Sequence, residues 1–312
     1  MISGILLEPK RFAVHDGPGV RTTFFFKGCP LRCPWCANPE SQAYDNDITE
    51  FPSKCVGCGM CITRCPQHAV GPDCKIDRAR CVKNCTACTD ICYAEAKKYV
   101  GKDYTIEELL HEIKKDKVFY QMRGGGVTFS GGEPLTHGKY LKEIAEACQK
   151  SRIDVCIESC GYSKFESFEE ALPFINSMFM DIKVFDSEKH KEITGYGNEV
   201  ILDNIRRISQ SGIPMTIRTP VVPGYTDTPE NIRAIAEFVV TLPSVTEYEL
   251  LVYHNLGESK YGALGRTYEL KGVEPPTDDA IRELVKLANG ILNKHGKHCF
   301  YMKDNKKEEI TC

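Results

Sequence analysis

Two kinds of segment alternate along most of the chain. Short runs of aliphatic and aromatic residues are followed by longer segments in which apolar residues recur every three or four positions. The short runs predict strands, and the periodic segments predict amphipathic helices. The predicted strands are residues 21–26, 127–130, 154–158, 178–183, 215–221 and 247–253, and the helical patterns include residues 106–115, 140–150, 204–210, 229–240 and 278–293.

Six such alternations, joined by short loops, predict an α/β fold with a parallel sheet. The sheet is either an open doubly wound sheet or a curved partial barrel, and the periodicity does not distinguish these two forms. Residues 51–96 break the pattern because they are dense in cysteine and have few long periodic segments. We therefore expect a main domain of residues 1–50 and 97–312, with residues 51–96 as an insertion. The charged residues 303–312 are expected to form a solvated tail.

Three closely spaced cysteines, Cys29, Cys33 and Cys36, carry the strongest chemical signal. Four thiolates saturate a four-iron cluster, so three thiolates leave one iron open to a substrate. Pro30 and Pro34 interrupt regular hydrogen bonding and favour a loop that wraps a cluster. A zinc loop or a reduced group of thiols is the alternative, but zinc sites usually take four protein ligands in two separated pairs. The spacing thus favours an iron–sulfur cluster with an open coordination position.

The insertion contains a second cysteine pattern, arranged in two runs. The first run, Cys-x2-Cys-x2-Cys-x3-Cys-Pro, is that of bacterial two-cluster ferredoxins, in which the fourth cysteine of each run ligates the other run's cluster. A pair of zinc sites is the alternative. The clusters would relay electrons or act as structural staples, and Cys74 between the runs is a spare thiol. The predicted ligand sets are Cys55, Cys58, Cys61 and Cys92 for one cluster, and Cys65, Cys81, Cys85 and Cys88 for the other.

The composition narrows the classes of function. Forty basic and 43 acidic residues give a net charge of −3, which offers no electrostatic footprint for nucleic acid and no basic patch for a membrane. No apolar run reaches membrane-spanning length, and the N-terminus lacks the charged start and long apolar core of a signal peptide. Most of the 17 cysteines fall into close-spaced groups, which favours metal ligation in a reducing compartment. We expect a cytoplasmic protein that works in an anaerobic setting.

Further candidate residues stand where the predicted strands end, the side of the sheet at which α/β active sites collect. Gly131 and Gly132 would let the main chain approach a ligand closely, or would form an ordinary turn. Asp181 and Lys183 lie on one face of their strand by alternation, and their alternative role is a buried salt bridge. The remaining candidates are Glu133, Glu158, Ser159, Arg218 and His254, although an isolated histidine is more often a hydrogen-bonded structural residue.

The Cys-x3-Cys-x2-Cys run resembles the radical S-adenosylmethionine (SAM) superfamily, and the resemblance continues along nearly the whole chain. It implies a partial (β/α)6 barrel of the TIM-like kind. It also implies that the open iron binds the amino and carboxylate groups of SAM, and that reductive cleavage gives methionine and a 5′-deoxyadenosyl radical.

The same resemblance assigns roles to the strand-end residues. Gly131, Gly132 and Glu133 are similar to the motif that binds the SAM amine, and Lys183 would pair with the SAM carboxylate. Asp181, Glu158 and Ser159 would bind a monovalent cation or the ribose hydroxyls, and the ring of His254 would stack on adenine. The full cofactor site implied by the resemblance comprises Trp35, Cys36, Ala37, Gly131, Gly132, Glu133, Glu158, Ser159, Asp181, Lys183, Arg218 and His254.

Four features narrow the resemblance to the glycyl-radical enzyme activating enzymes, in the branch with a two-cluster ferredoxin-like insertion. They are the run from His15 to Arg21, the insertion itself, Asp-Ile-Lys, and Tyr-His-Asn-Leu-Gly. The resemblance implies that the radical removes hydrogen from one glycine of a large partner enzyme. It places the three-cysteine run, Lys183 and Asp16 in the catalytic machinery. Asp16 would lie near the target glycine, or it would cap the turn formed by residues 17–19.

Three [4Fe–4S] clusters and SAM are the expected cofactors, and a flavodoxin or ferredoxin is the expected electron donor of a monomeric protein. The partner stays open, since dehydratases for diols or hydroxyproline, choline lyase and arylacetate decarboxylases all have activating enzymes of this kind. Two other functions are weighed against this one. The first is a multi-cluster electron carrier in which the Cys29 loop only anchors a third cluster, and SAM cleavage would exclude it. The second is a radical SAM enzyme that acts on a small molecule.

Overall fold

One continuous mixed sheet forms the body of the protein. The computed structural model describes residues 3–304 and 306–310. Most of the strands form the large sheet, and β4 and β5 pair with each other in a separate ribbon. The strands are β1 Ser3–Leu6, β2 Lys10–Ala13, β3 Arg21–Phe26, β4 Asp47–Glu50, β5 Lys97–Val100, β6 Lys102–Thr105, β7 Gly126–Gly131, β8 Asp154–Ser159, β9 Ser177–Asp181, β10 Met215–Val221, β11 Val245–Val252, β12 His298–Lys303 and β13 Lys306–Glu309.

The centre of the sheet is parallel and follows chain order. From β3 the neighbours are β7, β8, β9, β10, β11 and β12, and each adjacent pair is parallel. At the two ends, β1 and β2 pair antiparallel with β3, β6 pairs with β1, and β13 pairs with β12. Strands β6 and β13 stand at opposite edges and do not close the sheet. The predicted partial barrel is therefore confirmed, as an open one.

Amphipathic helices connect the parallel strands. In α4, for example, Tyr140, Leu141, Ile144 and Cys148 recur at helical spacing and are buried against the sheet. The helices are α1 Met60–Arg64, α2 Ile106–Lys114, α3 Lys117–Arg123, α4 Gly138–Lys150, α5 Ser187–Thr194, α6 Glu199–Gln210, α7 Pro229–Val240, α8 Glu258–Ala263 and α9 Asp278–Leu292.

Local sequence signals account for several helix starts. Thr105 and Glu108 form a capping box at the start of α2, and Thr277 caps α9 through the amide of Ala280. Pro229 occupies the first turn of α7, where its missing N–H costs nothing. The predicted helices at these positions are confirmed. The predictions that began at residues 140 and 204 started two and five residues too late, because α4 begins at Gly138 and α6 at Glu199.

One predicted strand is too long, and the predicted tail contains a strand. The strand predicted over residues 178–183 ends at Asp181, so Lys183 lies beyond it. In the expected tail of residues 303–312, residues 306–309 form β13 and pair with β12, although most of the described residues are exposed; residues 305, 311 and 312 lie outside the described part of the chain. Lys307 accounts for this difference, because it pairs with Glu247 of β11 and lies 4.3 Å from the ring centroid of Phe300. A charged strand at the edge of a sheet also resists pairing with a second chain.

The cysteine-rich insertion is attached through the β4–β5 ribbon. The amide of Phe51 donates to the carbonyl of Ala96 at 2.8 Å, which continues the ribbon by one more pair. Residues 51–96 lie between the last residue of β4 and the first residue of β5. A small apolar core, separate from that of the large sheet, joins Ile48 of β4 to Cys61, Val70, Cys74, Ile76 and Cys88 of the insertion.

Candidate active site and cluster cavities

The loop that carries Cys29, Cys33 and Cys36 follows β3 and is fixed at both ends. The amide of Gly28 donates to Ser41 O at 2.7 Å, and the amide of Cys29 donates to Gln42 O at 3.1 Å. The amide of Cys36 donates to Cys33 O at 3.1 Å, so the last two cysteines share one turn. These bonds hold the three thiols on one side of the loop, towards the carboxyl ends of the parallel strands.

A cavity of about 290 Å³ opens at these carboxyl ends. It collects the three thiols and most of the polar residues that the sequence places at strand ends. The predicted residues that line it are Cys29, Cys33, Trp35, Cys36, Ala37, Gly131, Gly132, Glu158, Ser159, Asp181, Lys183, Arg218 and His254, and Cys160 joins them although the sequence analysis did not select it.

The donor set of this cavity fits an iron–sulfur cluster. Burial raises the pKa of Cys33 to about 12 and that of Cys36 to about 11. Buried thiolates need positive charge beside them, which iron supplies and Lys183 supplements. With three cysteines lining one cavity, a four-iron cluster would keep one iron free for a substrate.

The glycines of the Ser-Gly-Gly-Glu-Pro run are required by close main-chain packing. Gly131 has φ +109°, and a Cβ there would lie 2.5 Å from the amide nitrogen of Phe26. A Cβ on Gly132 would lie 2.2 Å from the carbonyl oxygen of Gly28. Any side chain at Gly132 would therefore displace the residue that precedes Cys29. The two glycines place bare main chain against the cysteine loop and along the cavity wall.

Glu133 lies behind the cavity rather than in it. Its side chain is fully buried, and its carboxylate accepts hydrogen bonds from Leu135 N at 2.9 Å, Ser159 Oγ at 2.7 Å and Cys160 N at 2.8 Å. Its own amide donates to Gly28 O at 2.7 Å. Glu133 therefore connects the cysteine loop to the end of β8. Its predicted contact with the SAM amine stays a prediction.

Lys183 and Asp181 form an ion pair in the cavity wall. The distance from Nζ to Oδ2 is 2.7 Å, and the Lys183 side chain is 10% exposed. Burial alone would lower the pKa of Lys183, but the Asp181 carboxylate and the thiols of Cys33 and Cys160 together raise it above its ordinary value. The ammonium is thus charged, and it faces the same cavity as Cys29, Cys33 and Cys36.

Arg218 is held by protein groups on several sides. Its guanidinium donates to Glu249 at 2.6 Å, to Glu158 at 2.5 Å and to the carbonyl of His15 at 2.9 Å. It also lies 3.4 Å from the ring centroid of Phe179. Burial raises the pKa of Glu158, whereas Arg218 opposes this rise. Glu158 therefore faces the cavity with its carboxylate already engaged.

The remaining predicted residues differ in position. His254 is exposed at the cavity rim, and Trp35 meets Tyr225 edge to face with ring centroids 5.6 Å apart. Asp16 does not line the cavity, because its carboxylate accepts from Thr23 Oγ1 at 2.7 Å and from Lys10 Nζ at 3.4 Å. Its two predicted roles, a position near the target glycine and a cap of the turn at residues 17–19, stay predictions.

The insertion brings its eight predicted ligands into two separate cavities. The grouping matches the crossed pattern in which each run lends its fourth cysteine to the other cluster. Among the residues described, no three His, Cys, Asp or Glu side chains converge on a single metal ion. Ligands of a four-iron cluster bind different irons and need not converge in that way. Cys55, Cys58, Cys61 and Cys92 line the first cavity, and Cys65, Cys81, Cys85 and Cys88 line the second.

Two cysteines outside the ligand sets lie beside predicted ligands. Cys74 lines the first cavity of the insertion and packs in the same buried cluster as Cys61. Cys160 lines the same cavity as Cys29. The sequence offered one signal for Cys160, since it directly follows the strand-end pair Glu158 and Ser159. The importance of Cys74 could not be read from spacing.

An open α/β barrel with three thiols at the carboxyl ends of its strands has the arrangement of a radical SAM enzyme. Comparison with protein families agrees with this class. Residues 78–239 match the radical SAM superfamily, and residues 48–70 match the 4Fe-4S binding domain.

Curated relatives match nearly the whole chain. The indoleacetate decarboxylase activating enzyme of Tractidigestivibacter scatoligenes is 38% identical, covering 96% of this chain and 97% of its own. The (2S)-3-sulfopropanediol sulfolyase activating enzyme of Bilophila wadsworthia is 40% identical, with 95% and 98% covered. The trans-4-hydroxy-L-proline dehydratase activating enzyme of Clostridioides difficile is 36% identical, with 91% and 95% covered. The chain belongs to the glycyl-radical enzyme activating enzymes of the radical SAM superfamily.

Family membership confirms the predicted fold class and enzyme class. The protein is an enzyme that uses SAM and [4Fe–4S] chemistry to generate a radical. Within residues 3–304 and 306–310, no helix combines the length and apolar character needed to cross a bilayer.

Proposed function

We propose that the cavity at the carboxyl ends of β7–β11 binds SAM beside a [4Fe–4S] cluster held by Cys29, Cys33 and Cys36. The observation that carries this proposal is the meeting of three thiols, a buried ammonium and bare glycine main chain in one cavity. When bound, the cluster supplies the electron that cleaves SAM, and the resulting 5′-deoxyadenosyl radical removes hydrogen from the target glycine.

Different residues of the cavity recognise different groups of SAM. Lys183 pairs with the SAM carboxylate while it stays bonded to Asp181, which provides a charge-assisted contact in a buried site. The main chain at Gly131 and Gly132 receives the amine. His254 and Trp35 flank the adenine from the cavity rim, where a flat ring can stack without losing contact with solvent. A monovalent cation near Asp181 would compete with Lys183 for the same carboxylate.

The target is a glycine of a large partner enzyme, which docks on this protein. The curated relatives, which are 36–40% identical to this chain, activate decarboxylases, a sulfolyase and a dehydratase. Their similarity therefore supports a glycyl-radical enzyme as the partner, but it does not favour one particular enzyme. The loop of residues 15–19 is suited to meet the target, because the carbonyl of His15 bonds Arg218 in the cavity wall. The enzyme is a cytoplasmic monomer that receives electrons from a flavodoxin or a ferredoxin.

The insertion holds two further [4Fe–4S] clusters in its two cysteine cavities and passes electrons towards the catalytic cluster. Its attachment to the main domain supports this role. Arg78 of the insertion donates to Glu50 at 3.3 Å and to Ala263 O at 3.4 Å, so it contacts the end of α8. A Cβ added at Gly257, at the start of α8, would lie 3.1 Å from Cys36 O. Helix α8 thus touches both the insertion and the cysteine loop.

Anaerobic reconstitution tests the proposal. The protein should hold about twelve irons per chain, in three clusters of four. With a strong chemical reductant and SAM it should release 5′-deoxyadenosine, and with its partner it should produce the electron paramagnetic resonance (EPR) signal of a glycyl radical. If the protein binds iron but does not cleave SAM, the alternative function of an electron carrier would be favoured. Full activity with only about four irons per chain would contradict the assignment of two clusters to the insertion.

A further inference from the structure

A group of exposed apolar side chains lies where β2 meets α3. Single exposed apolar residues are common, but a contiguous group of them marks a surface that another molecule covers. Phe12 and Phe119 join the two elements, because their rings meet edge to face with centroids 5.1 Å apart. We call this group the β2–α3 patch. Its members are Phe12, Val14, Val118, Phe119 and Met122, which are between 44% and 72% exposed.

The patch is fixed in place by polar contacts beneath it. Arg11, the neighbour of Phe12, donates to Glu112 at 3.2 Å and also to Asp116, which accepts from Thr22 Oγ1 at 2.7 Å. Phe12 has φ +58°, a left-handed conformation that is unusual for a bulky residue. Residues in such conformations persist where the surrounding contacts fix them, and they cluster at functional sites. The fold therefore holds the Phe12 ring at the surface despite a cost in backbone energy.

The patch is continuous with the loop of residues 15–19, which the proposed function places near the target glycine. Val14 belongs to the patch, and it also lines a cavity of about 370 Å³ together with His15 and Arg218. Arg218 lines the catalytic cavity as well. A protein that places a glycine at this loop would therefore lie over the patch with its adjoining surface.

The end of α3 contacts the same loop. Gly19 lies so close to the carbonyl oxygen of Arg123 that a Cβ at Gly19 would overlap with it. Basic side chains also border the patch. Lys117 and Arg123, the first and last residues of α3, form no ion pair within the described part of the chain. Lys10 of β2 is exposed and has only a 3.4 Å contact with Asp16. An apolar centre with a basic rim is complementary to an apolar surface bordered by carboxylates.

We propose that the β2–α3 patch is the docking surface for the partner glycyl-radical enzyme, which covers it with an apolar surface bordered by carboxylates. This proposal rests on the proposed function and adds to it the surface that binds the partner outside the catalytic cavity. A stable protein–protein interface buries about 800 Å² on each partner. A glycine segment at the cavity does not supply such an area, so a large partner needs a surface of this kind.

The test compares two double variants with one control. Val118→Glu/Met122→Glu places two charges in the patch, and Lys117→Glu/Arg123→Glu reverses its rim. All four positions lie in α3, and glutamate is a good helix former, so the fold should be retained. Val200→Glu is the matched control, because Val200 is an exposed valine of another helix, α6.

Each full-length protein is reconstituted anaerobically, and its binding to a partner is measured by surface plasmon resonance. The probe is a purified glycyl-radical enzyme in which the wild-type protein produces the glycyl-radical EPR signal. It is chosen among the decarboxylases, sulfolyases and dehydratases that the curated relatives activate. Iron content and release of 5′-deoxyadenosine without the partner are measured in parallel, since these report on the catalytic cavity and not on docking.

Val118→Glu/Met122→Glu should weaken binding of the partner about tenfold or more, a loss of about 1.4 kcal/mol. Iron content and release of 5′-deoxyadenosine without the partner should match the wild type, and the radical yield should recover at saturating partner. Lys117→Glu/Arg123→Glu should slow association, and added salt should reduce the difference from the wild type because it screens the rim charges. Val200→Glu should bind like the wild type. Wild-type affinity in Val118→Glu/Met122→Glu would overturn the proposal.

Three other outcomes would also contradict the docking assignment. If the wild type produces a radical in none of these enzymes, the proposed function fails, and the docking surface fails with it. If sedimentation shows a wild-type dimer that Val118→Glu/Met122→Glu dissociates, a second copy of this chain covers the patch. If this variant binds the glycyl-radical enzyme normally but receives electrons poorly from a flavodoxin, the patch belongs to the electron donor. In the last two cases the proposed function itself stands.

Discussion

At the scale of single residues, the catalytic cavity is dominated by a balance of buried charges. Three thiols, the Asp181 carboxylate and the Lys183 ammonium share the wall of one cavity. Lys183 lowers the pKa of Cys33 and of Cys36 against the larger effect of burial. The lysine therefore favours the thiolate form that iron needs, in addition to its proposed contact with the SAM carboxylate.

Replacement of Lys183 by alanine should weaken SAM binding at least tenfold, a free-energy loss of about 1.4 kcal/mol. The reason is the loss of a charge-assisted contact and the exposure of the SAM carboxylate to unpaired Asp181. Calorimetric titration of the anaerobically reconstituted protein with SAM measures the change. Lys142→Ala serves as control, because Lys142 forms an exposed ion pair with Glu170 on the protein surface. Unchanged SAM affinity together with a lower melting temperature would make Lys183 a structural residue.

Gly132→Ala should prevent the catalytic cluster from assembling. The added Cβ would lie 2.2 Å from the carbonyl oxygen of Gly28, which is main chain and cannot rotate away. The iron content should fall by about four per chain, and release of 5′-deoxyadenosine should stop. Gly262→Ala is the control, since a Cβ there meets nothing within 4 Å. Full iron content in Gly132→Ala would show that the loop can move aside at little cost.

At the scale of secondary structure, α5 supports the cysteine loop. The carbonyl of Thr194, the last residue of α5, accepts from the amide of Arg32 at 2.9 Å. His190 of the same helix is 1% exposed, and its Nδ1 donates to the carbonyl of Tyr196 at 2.6 Å. Its buried Nε2 has no hydrogen-bond partner. A proton added there would therefore be an uncompensated buried charge beneath the cluster loop.

The stability of the fold should fall as pH drops below about 6.5. Burial lowers the pKa of His190 from its ordinary value of 6.5, so the unfolded chain binds the proton more readily than the folded one. The contribution of His190 to stability is complete above pH 6.5, and it is lost as the pH falls towards the lower pKa that His190 has in the folded state. Melting temperatures between pH 7.5 and 5.5 measure the slope, which His190→Gln should reduce. The exposed His111→Gln should keep it. If His190→Gln kept the slope of the wild type, a group other than His190 would be responsible for the pH dependence.

Strands and helices with strong periodicity could be predicted from the sequence, and the marginal strands could not. The run at residues 21–26 is rich in β-branched and aromatic residues and is almost entirely buried, so its assignment as a strand was secure. Strands β1 and β2 are only four residues long, which is too short for an alternation of apolar and polar residues to give a clear pattern. Strand β13 reads Lys-Lys-Glu-Glu, and its pairing with β12 and the ion pair of Lys307 with Glu247 hold it in the sheet.

The candidate site was predictable in outline because it follows from topology. Parallel strands bring their carboxyl ends together, so residues at strand ends meet whatever the details of packing. Side-chain partners were not predictable in this way. Glu133 turns to Ser159 and the amide of Cys160, and Asp16 turns to Thr23, because local hydrogen-bond donors decide these orientations. The spacing of residues along the chain does not show which hydrogen-bond donors lie near a given side chain in the folded protein.

At the scale of the whole molecule, the three cysteine cavities have different connections. The two cavities of the insertion rest on the β4–β5 ribbon, whose Glu50 bonds Arg78 and the buried Lys97. The catalytic cavity belongs to the main sheet. Helix α8 lies between them, in contact with Arg78 on one side and near the cysteine loop on the other. Helix α8 is therefore the element that contacts both the insertion and the loop of Cys36.

Variants that remove one kind of cluster should separate cleavage from electron entry. Cys33→Ala breaks the three-cysteine set, so 5′-deoxyadenosine should disappear with any reductant. The double variant Cys58→Ala/Cys85→Ala damages both clusters of the insertion and leaves the catalytic set intact. It should cleave SAM near the wild-type rate with a small chemical reductant and at least tenfold more slowly with a flavodoxin. Cys74→Ala controls for loss of a thiol in the insertion, since Cys74 is outside both ligand sets. Equal activity of the double variant with both donors would make the insertion structural or partner-binding, and 5′-deoxyadenosine from Cys33→Ala would refute the assignment of the catalytic cavity.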